Sequence, residues 1–306
     1  MKYIYYPGCS LEGTALEYNV STRAAMAAMG AELTELEDWT CCGASAADAR
    51  SSLLSMVLSA RNLALGEGMN GGNDFLVPCS ACYLNLKRVE QKVQEEEGLL
   101  NKINEAMTEE GLTYKGEARV RHLLDVISKD FSPLQIRQLV KQDLTGLRVA
   151  PYYGCQCLRP YRVFDDPEQP KSMEPVIKAL GAEIHPWTVG AKCCGAALMT
   201  TKKKVALELT GGILRAAKGA DCIVTVCPMC QMNLETFQDK ISSDQGEDLR
   251  ISVLYLPQLM GLAFGLSEKE LKMNHNLALT GSFRKKLKKI RRHKKESVQK
   301  NEKEVG

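Results

Sequence analysis

Ten of the twelve cysteines fall into two sets with one pattern. The first set is Cys9, the adjacent pair Cys41-Cys42, and Cys79-x-x-Cys82. The second is Cys155, Cys193-Cys194, and Cys227-x-x-Cys230. The gaps are 31 and 36 residues in the first set, 37 and 32 in the second. The flanks agree as well. Tyr5-Tyr6-Pro7-Gly8-Cys9 parallels Tyr152-Tyr153-Gly154-Cys155, and Gly30-Ala31-Glu32 parallels Gly181-Ala182-Glu183. Cys41-Cys42-Gly43-Ala44 parallels Cys193-Cys194-Gly195-Ala196, and Asn85-Leu86 follows Cys82 as Asn233-Leu234 follows Cys230. Agreement at so many offsets marks an internal duplication.

Small-residue core filling explains Cys222, which stands in an apolar run, but not ten cysteines in register. Structural disulfides fit poorly. The N-terminus has no apolar signal core, so a reducing cytoplasmic setting is the default. Adjacent cysteines also bridge each other only through a strained ring. Thiolates are soft ligands that select iron–sulfur clusters or zinc over magnesium or calcium. A tetrahedral zinc and a cubane cluster each need four ligands, and five per half leave one over. The spacing therefore favours iron–sulfur and leaves zinc open.

The elements that must position these residues repeat too. A β-rich segment (Tyr3–Tyr6; Leu147–Tyr153) runs into the first cysteine of each half. A helical stretch and a short strand lead to Cys-Cys-Gly. Another helix (Ser51–Leu65; Lys203–Ala217) and a buried-looking strand (Phe75–Val77; Cys222–Val226) lead to Cys-x-x-Cys, where a further helix starts. Alternating strands and helices predict an α/β fold: two duplicated cysteine-rich domains, each a small, mostly parallel sheet with flanking helices, related by a pseudo-twofold. The cysteines then lie at strand ends and helix N-termini, where open α/β sheets bind ligands. The expected divisions are a first repeat at 1–90, a helical connector at 91–146, a second repeat at 147–265, and a C-terminal extension at 266–306. Within the connector, Ser132-Pro133 predicts a helix start.

The 306 residues are 44% apolar and 25% charged, as in soluble globular chains. The weakly polar stretch Val253–Leu266 is too short to span a membrane and contains Pro257. The net charge of +3 hides an asymmetry: residues 284–306 carry eleven Lys/Arg and three Glu, so the rest is mildly acidic. That argues against nucleic acid as partner of the body. The tail reads as a solvated extension, with docking on an acidic subunit or an anionic membrane surface as its functional alternative. Gly211-Gly212 lies inside a helical pattern and is no phosphate loop, so no flavin or nucleotide site is expected. His122, His185, His275 and His293 share no motif, and His185 reads as structural.

The duplicated pattern, with the opening Tyr-Tyr-Pro-Gly-Cys-Ser and the central Pro151-Tyr152-Tyr153-Gly154-Cys155 with Arg159-Pro160, resembles the B subunit of heterodisulfide reductase over residues 1–265. Related domains occur in glycolate oxidase iron–sulfur subunits, one class of succinate dehydrogenase subunits and thiol:fumarate reductases. Those usually carry a ferredoxin-like segment or lack the full cysteine set, whereas here the first repeat opens the sequence. The resemblance implies one noncubane [4Fe–4S] cluster per repeat. Its ligands would be Cys9, Cys41, Cys42, Cys79 and Cys82 in the first, and Cys155, Cys193, Cys194, Cys227 and Cys230 in the second. Cys157 departs from the pattern.

It further implies reduction of a small-molecule disulfide, such as that of coenzymes M and B in methanogens, by two clusters that each supply one electron. Electrons would come from the family's small ferredoxin-like partner, the C subunit, and its flavin-bearing partner, the A subunit. Arg159 and Lys192 are candidate contacts for an anionic substrate. The competing expectation is an electron-transfer iron–sulfur subunit of another oxidoreductase complex, without a substrate site. A zinc scaffold with a nucleic-acid-binding tail is the third.

Overall fold

The computed structural model describes residues 1–44, 46–69 and 74–291. It contains two four-stranded parallel sheets of the same order. In the first, β1 (Lys2–Tyr5) lies between β2 (Glu32–Glu35) and β3 (Phe75–Val77), and β3 also pairs with β4 (Val120–His122). In the second, β5 (Arg148–Tyr152) lies between β6 (Glu183–Ile184) and β7 (Cys222–Thr225), and β7 pairs with β8 (Ser252–Tyr255). Inner strands β3 and β7 are buried throughout, while edge strands β2 and β6 have no buried residue. That is the burial expected when helices cover both faces of a parallel sheet.

The identical orders correct the repeat boundary. β4 lies in the segment 91–146, read from sequence as a connector, yet it completes the first sheet as β8 completes the second. The signal was masked by Arg121, a charged residue in a three-residue strand. Arg121 is buried because Asp125, Asp130 and Asp74 surround its guanidinium. The charged stretch 87–107 continues the helix Ser80–Glu95 and then buries Leu99, Ile103 and Met107. The helix at Ser132-Pro133 forms with a full capping box but ends at Gln138.

The tail differs from expectation in its first turns. Residues 281–291 are helical, and they bury Phe283 and Leu287 in the core. Lys286 pairs with Asp221, and Arg284 and Arg291 approach Glu268. Phe283 and Leu287, four apart, with Ile290 packed beside them, seat this helix on the core. Residues 292–306, the rest of the basic stretch, lie outside the described residues. Deleting 284–306 is therefore expected to destabilise the fold. A buried leucine cut to alanine costs about 2–5 kcal/mol, and a domain of this size loses about 2–4 °C of Tm per kcal/mol. Thermal unfolding followed by circular dichroism should show a drop of roughly 5–15 °C. An unchanged Tm would return the helix to a solvated extension. Among the described residues no helix is long and apolar enough to cross a membrane.

Candidate metal centre

All strands being parallel, their C-terminal ends share one edge of each sheet, and the cysteines collect there. Cys9 follows β1, Cys41-Cys42 follow β2, and Cys79 follows β3 at the head of Ser80–Glu95. In the second half, Cys155 follows β5, Cys193-Cys194 follow β6, and Cys227 caps the helix Pro228–Thr236. All twelve cysteines are free. In the first set, Cys9 and Cys41 approach to 3.9 Å between sulfurs, and Cys42 and Cys82 to 3.4 Å. In the second, Cys194 and Cys230 lie 3.6 Å apart. Two thiolates on one tetrahedral metal at 2.3 Å stand ~3.8 Å apart. The sulfurs are thus too far apart for disulfides, at separations that two thiolates on one metal could also adopt. Among the described residues no three such side chains surround one point.

The support around the two sites is duplicated contact for contact. The Gly43 amide lies 3.4 Å from Cys41 Sγ, and that of Gly195 lies 3.3 Å from Cys193 Sγ. The Cys42 carbonyl accepts from Ser59 Oγ at 3.2 Å and Asn85 Nδ2 at 3.2 Å. The Cys194 carbonyl accepts from Thr210 Oγ1 at 2.9 Å and Asn233 Nδ2 at 2.7 Å. Tyr6 and Tyr152 each donate, at 2.7 Å, to the carbonyl of the residue before Cys-Cys, Thr40 and Lys192. Each tyrosine meets a tryptophan edge-on, Trp39 and Trp187. Gly8 and Gly154, both at φ +71°, let Cys82 and Cys230 approach so closely that a Cβ would stand 2.7 and 2.9 Å from the sulfur. The asparagines and tyrosines were visible in the matched flanks. Ser59 and Thr210 were not, because they differ in type and in offset from the cysteines.

The thiols respond to one another. Neighbouring Cys41 and then Cys82 hold Cys42 low, at about 3, and the hydrogen bond from Cys230 lowers Cys194 to about 7. Hydrogen bonding to Cys42 pushes Cys82 the other way, and hydrogen bonding to Cys194 does the same to Cys230. The hydrogen bond from Cys230 lowers Cys227 as well, so buried sulfurs of both sets are shifted toward the thiolate, the form that binds metal. Six of the ten are buried, whereas Cys9, Cys41 and Cys193 are exposed.

The remaining candidates separate. Cys157 is buried, points to the Tyr153 carbonyl at 3.3 Å, and is held protonated by burial. Cys222 fills the core in β7. His185 is structural, with Nε2 3.0 Å from the Ala216 carbonyl. Arg159 departs from its expected role: its guanidinium donates to the Pro167 and Ala191 carbonyls and to Glu168, tying two loops together. Lys192 is exposed beside Cys193.

Two duplicated parallel sheets each present a cysteine set at their strand ends. The family model described as a cysteine-rich domain, CCG, matches residues 3–87 and again 149–235. The chain is 38% identical over 280 residues to the 8-methylmenaquinol:fumarate reductase membrane anchor subunit of Wolinella succinogenes, covering 90% of this chain and 96% of that one. It is 30% identical to a protein of Archaeoglobus profundus described as like the heterodisulfide reductase B subunit, with 88% and 93% covered. It is 28% identical to the B subunit of a ferredoxin/F420H2-dependent CoB-CoM heterodisulfide reductase of Methanosarcina acetivorans, with 89% and 92% covered. A hypothetical protein from Helicobacter pylori shares the fold at a TM-score of 0.73 and 15% identity. This chain matches 91% of its own length there and about half, 52%, of that structure. The chain belongs to the CCG cysteine-rich domain family and, within it, to the iron–sulfur proteins of the heterodisulfide reductase B-subunit type.

Proposed function

We propose that this chain is the two-cluster subunit of a heterodisulfide reductase-type complex, reducing a small-molecule disulfide to two thiols. The observation that carries this reading is that both five-cysteine sets are complete and each is exposed on one side, at Cys9 and Cys41 and at Cys193. Each set holds one noncubane four-iron cluster: Cys9, Cys41, Cys42, Cys79 and Cys82 in the first repeat, Cys155, Cys193, Cys194, Cys227 and Cys230 in the second. Bound there, a cluster supplies one electron at a time and a Lewis-acidic iron. The chain's own residues hold the geometry. Buried cysteines and their carbonyl-bound asparagines fix each set from within. The exposed cysteines leave the outer side reachable, and Lys192 offers a cation there for an anionic substrate. Electrons arrive from ferredoxin-like and flavin-bearing partners in the same complex, in the cytoplasm.

The 38% identity to a fumarate reductase subunit supports a second reading, transfer of electrons within a quinol-linked complex and no disulfide chemistry. The anaerobically purified, reduced protein separates the two. Counted thiol release from a heterodisulfide, two per two electrons consumed, supports the first. Cluster reduction by a menaquinol analogue with no thiol release supports the second.

A further inference from the structure

Side chains of the first repeat bridge the residues that precede the two Cys-x-x-Cys pairs. Tyr18 places its hydroxyl 3.1 Å from the Pro78 carbonyl and 3.1 Å from the Val226 carbonyl. These are the residues immediately before Cys79 and Cys227. Ser80 Oγ lies 3.2 Å from the same Val226 oxygen and 3.2 Å from His122 Nε2. The proton direction follows from His122. Its Nδ1 accepts the Leu124 amide at 3.2 Å, and burial keeps the ring neutral by pushing it down to about 3. A neutral imidazole that accepts at Nδ1 carries its proton on Nε2. It therefore donates to Ser80, and the Ser80 hydroxyl donates onward to Val226.

The second repeat returns neither donor. The residue after Cys227 is Pro228, which has no hydroxyl to match Ser80. The ring pairs show where the counterpart of Tyr18 sits. Tyr18 stacks on Tyr255, at the end of β8, with centroids 4.0 Å apart and planes 2° apart. Phe164 stacks on His122, at the end of β4, with planes again 2° apart. Phe164 thus holds the place of Tyr18 without its hydroxyl.

We propose that Tyr18 and Ser80 are positioning residues joining the two sites, and that Ser80, from the first repeat, tunes the cluster of the second. The inference rests on the two-cluster reading above. A donor aimed beside a cluster's ligands stabilises the extra negative charge of the reduced state and raises its potential. The Ser80 hydroxyl is directed at the residue before Cys227 of the second site, whereas the Tyr18 hydroxyl is shared between both.

Redox titration of the full-length, anaerobically purified protein, followed by electron paramagnetic resonance, tests this. Ser80→Ala should keep wild-type iron and sulfide and move one cluster's midpoint to a more negative value, leaving the other in place. Ser80→Thr, which retains a hydroxyl, should restore it. Tyr18→Phe should move both. The proposal is overturned if Ser80→Ala moves neither midpoint or moves both equally, or if threonine shifts the midpoint as far as alanine. A wild-type chain with fewer than two clusters would instead overturn the two-cluster reading itself.

Discussion

Cys194→Ala is expected to halve the iron of the purified protein and to abolish disulfide-dependent turnover. Two four-iron clusters correspond to about eight iron and a similar amount of acid-labile sulfide per chain, and the loss of one leaves about four. Cys194 is buried, with its sulfur 3.6 Å from Cys230 and its thiol lowered to about 7, as the proposed ligand role requires. Its carbonyl remains bound to Thr210 and Asn233 after the substitution, which keeps the loop in place. Fold and first site should therefore survive, and the circular dichroism spectrum should match the wild type. Turnover should nonetheless fall to the blank, because breaking an S–S bond takes two electrons and one cluster delivers one. Cys42→Ala should do the same from the other repeat. Iron at half with turnover retained would sink the two-cluster mechanism and favour electron relay. Stoichiometric zinc in one half of the wild-type protein would remove the iron–sulfur assignment there.

The cysteine ladder made the duplication readable, because both halves keep the same residue type at the same strand ends and a β-α-β frame fixes the offset. The parallel sheets followed from the alternation of strands and helices in each half. What escaped was whatever is held by contacts distant in sequence. β4 hid because a buried cation compensated by three aspartates looks, along the chain, like a solvated charge. The helix at 281–291 hid because its basic residues outnumber the apolar ones that seat it. Tyr18 and Ser80 hid for the opposite reason: Phe164 and Pro228 stand in their places in the second repeat without a hydroxyl, and a search for symmetry passes over residues on which the repeats differ. Arg159 looked like an anion contact by proximity to Cys155, and only the fold shows three acceptors already around it.

Gly8→Ala should cost the first metal site and leave the second, and Gly154→Ala the reverse. Two effects act at each position. The left-handed backbone at φ +71° disfavours any side chain by roughly 1–2 kcal/mol. The added Cβ would also stand 2.7 Å from Cys82 Sγ at Gly8, or 2.9 Å from Cys230 Sγ at Gly154. Cys82 and Cys230 are almost fully buried and stand 3.4 and 3.6 Å from Cys42 and Cys194, so neither sulfur has room to retreat without leaving its partner. Gly30→Ala separates the two effects. Its φ is +77°, close to that of Gly8, but nothing lies within 4 Å of the added carbon. It should lower stability by about the backbone term and keep all the iron. The comparison is read from iron and sulfide per chain alongside Tm. If Gly8→Ala retains full iron, Cys82 is not held as a ligand in the geometry described. If Gly30→Ala loses iron as readily, the glycines matter for the backbone alone, and the close approach of sulfur to Gly8 and Gly154 carries no meaning for the metal.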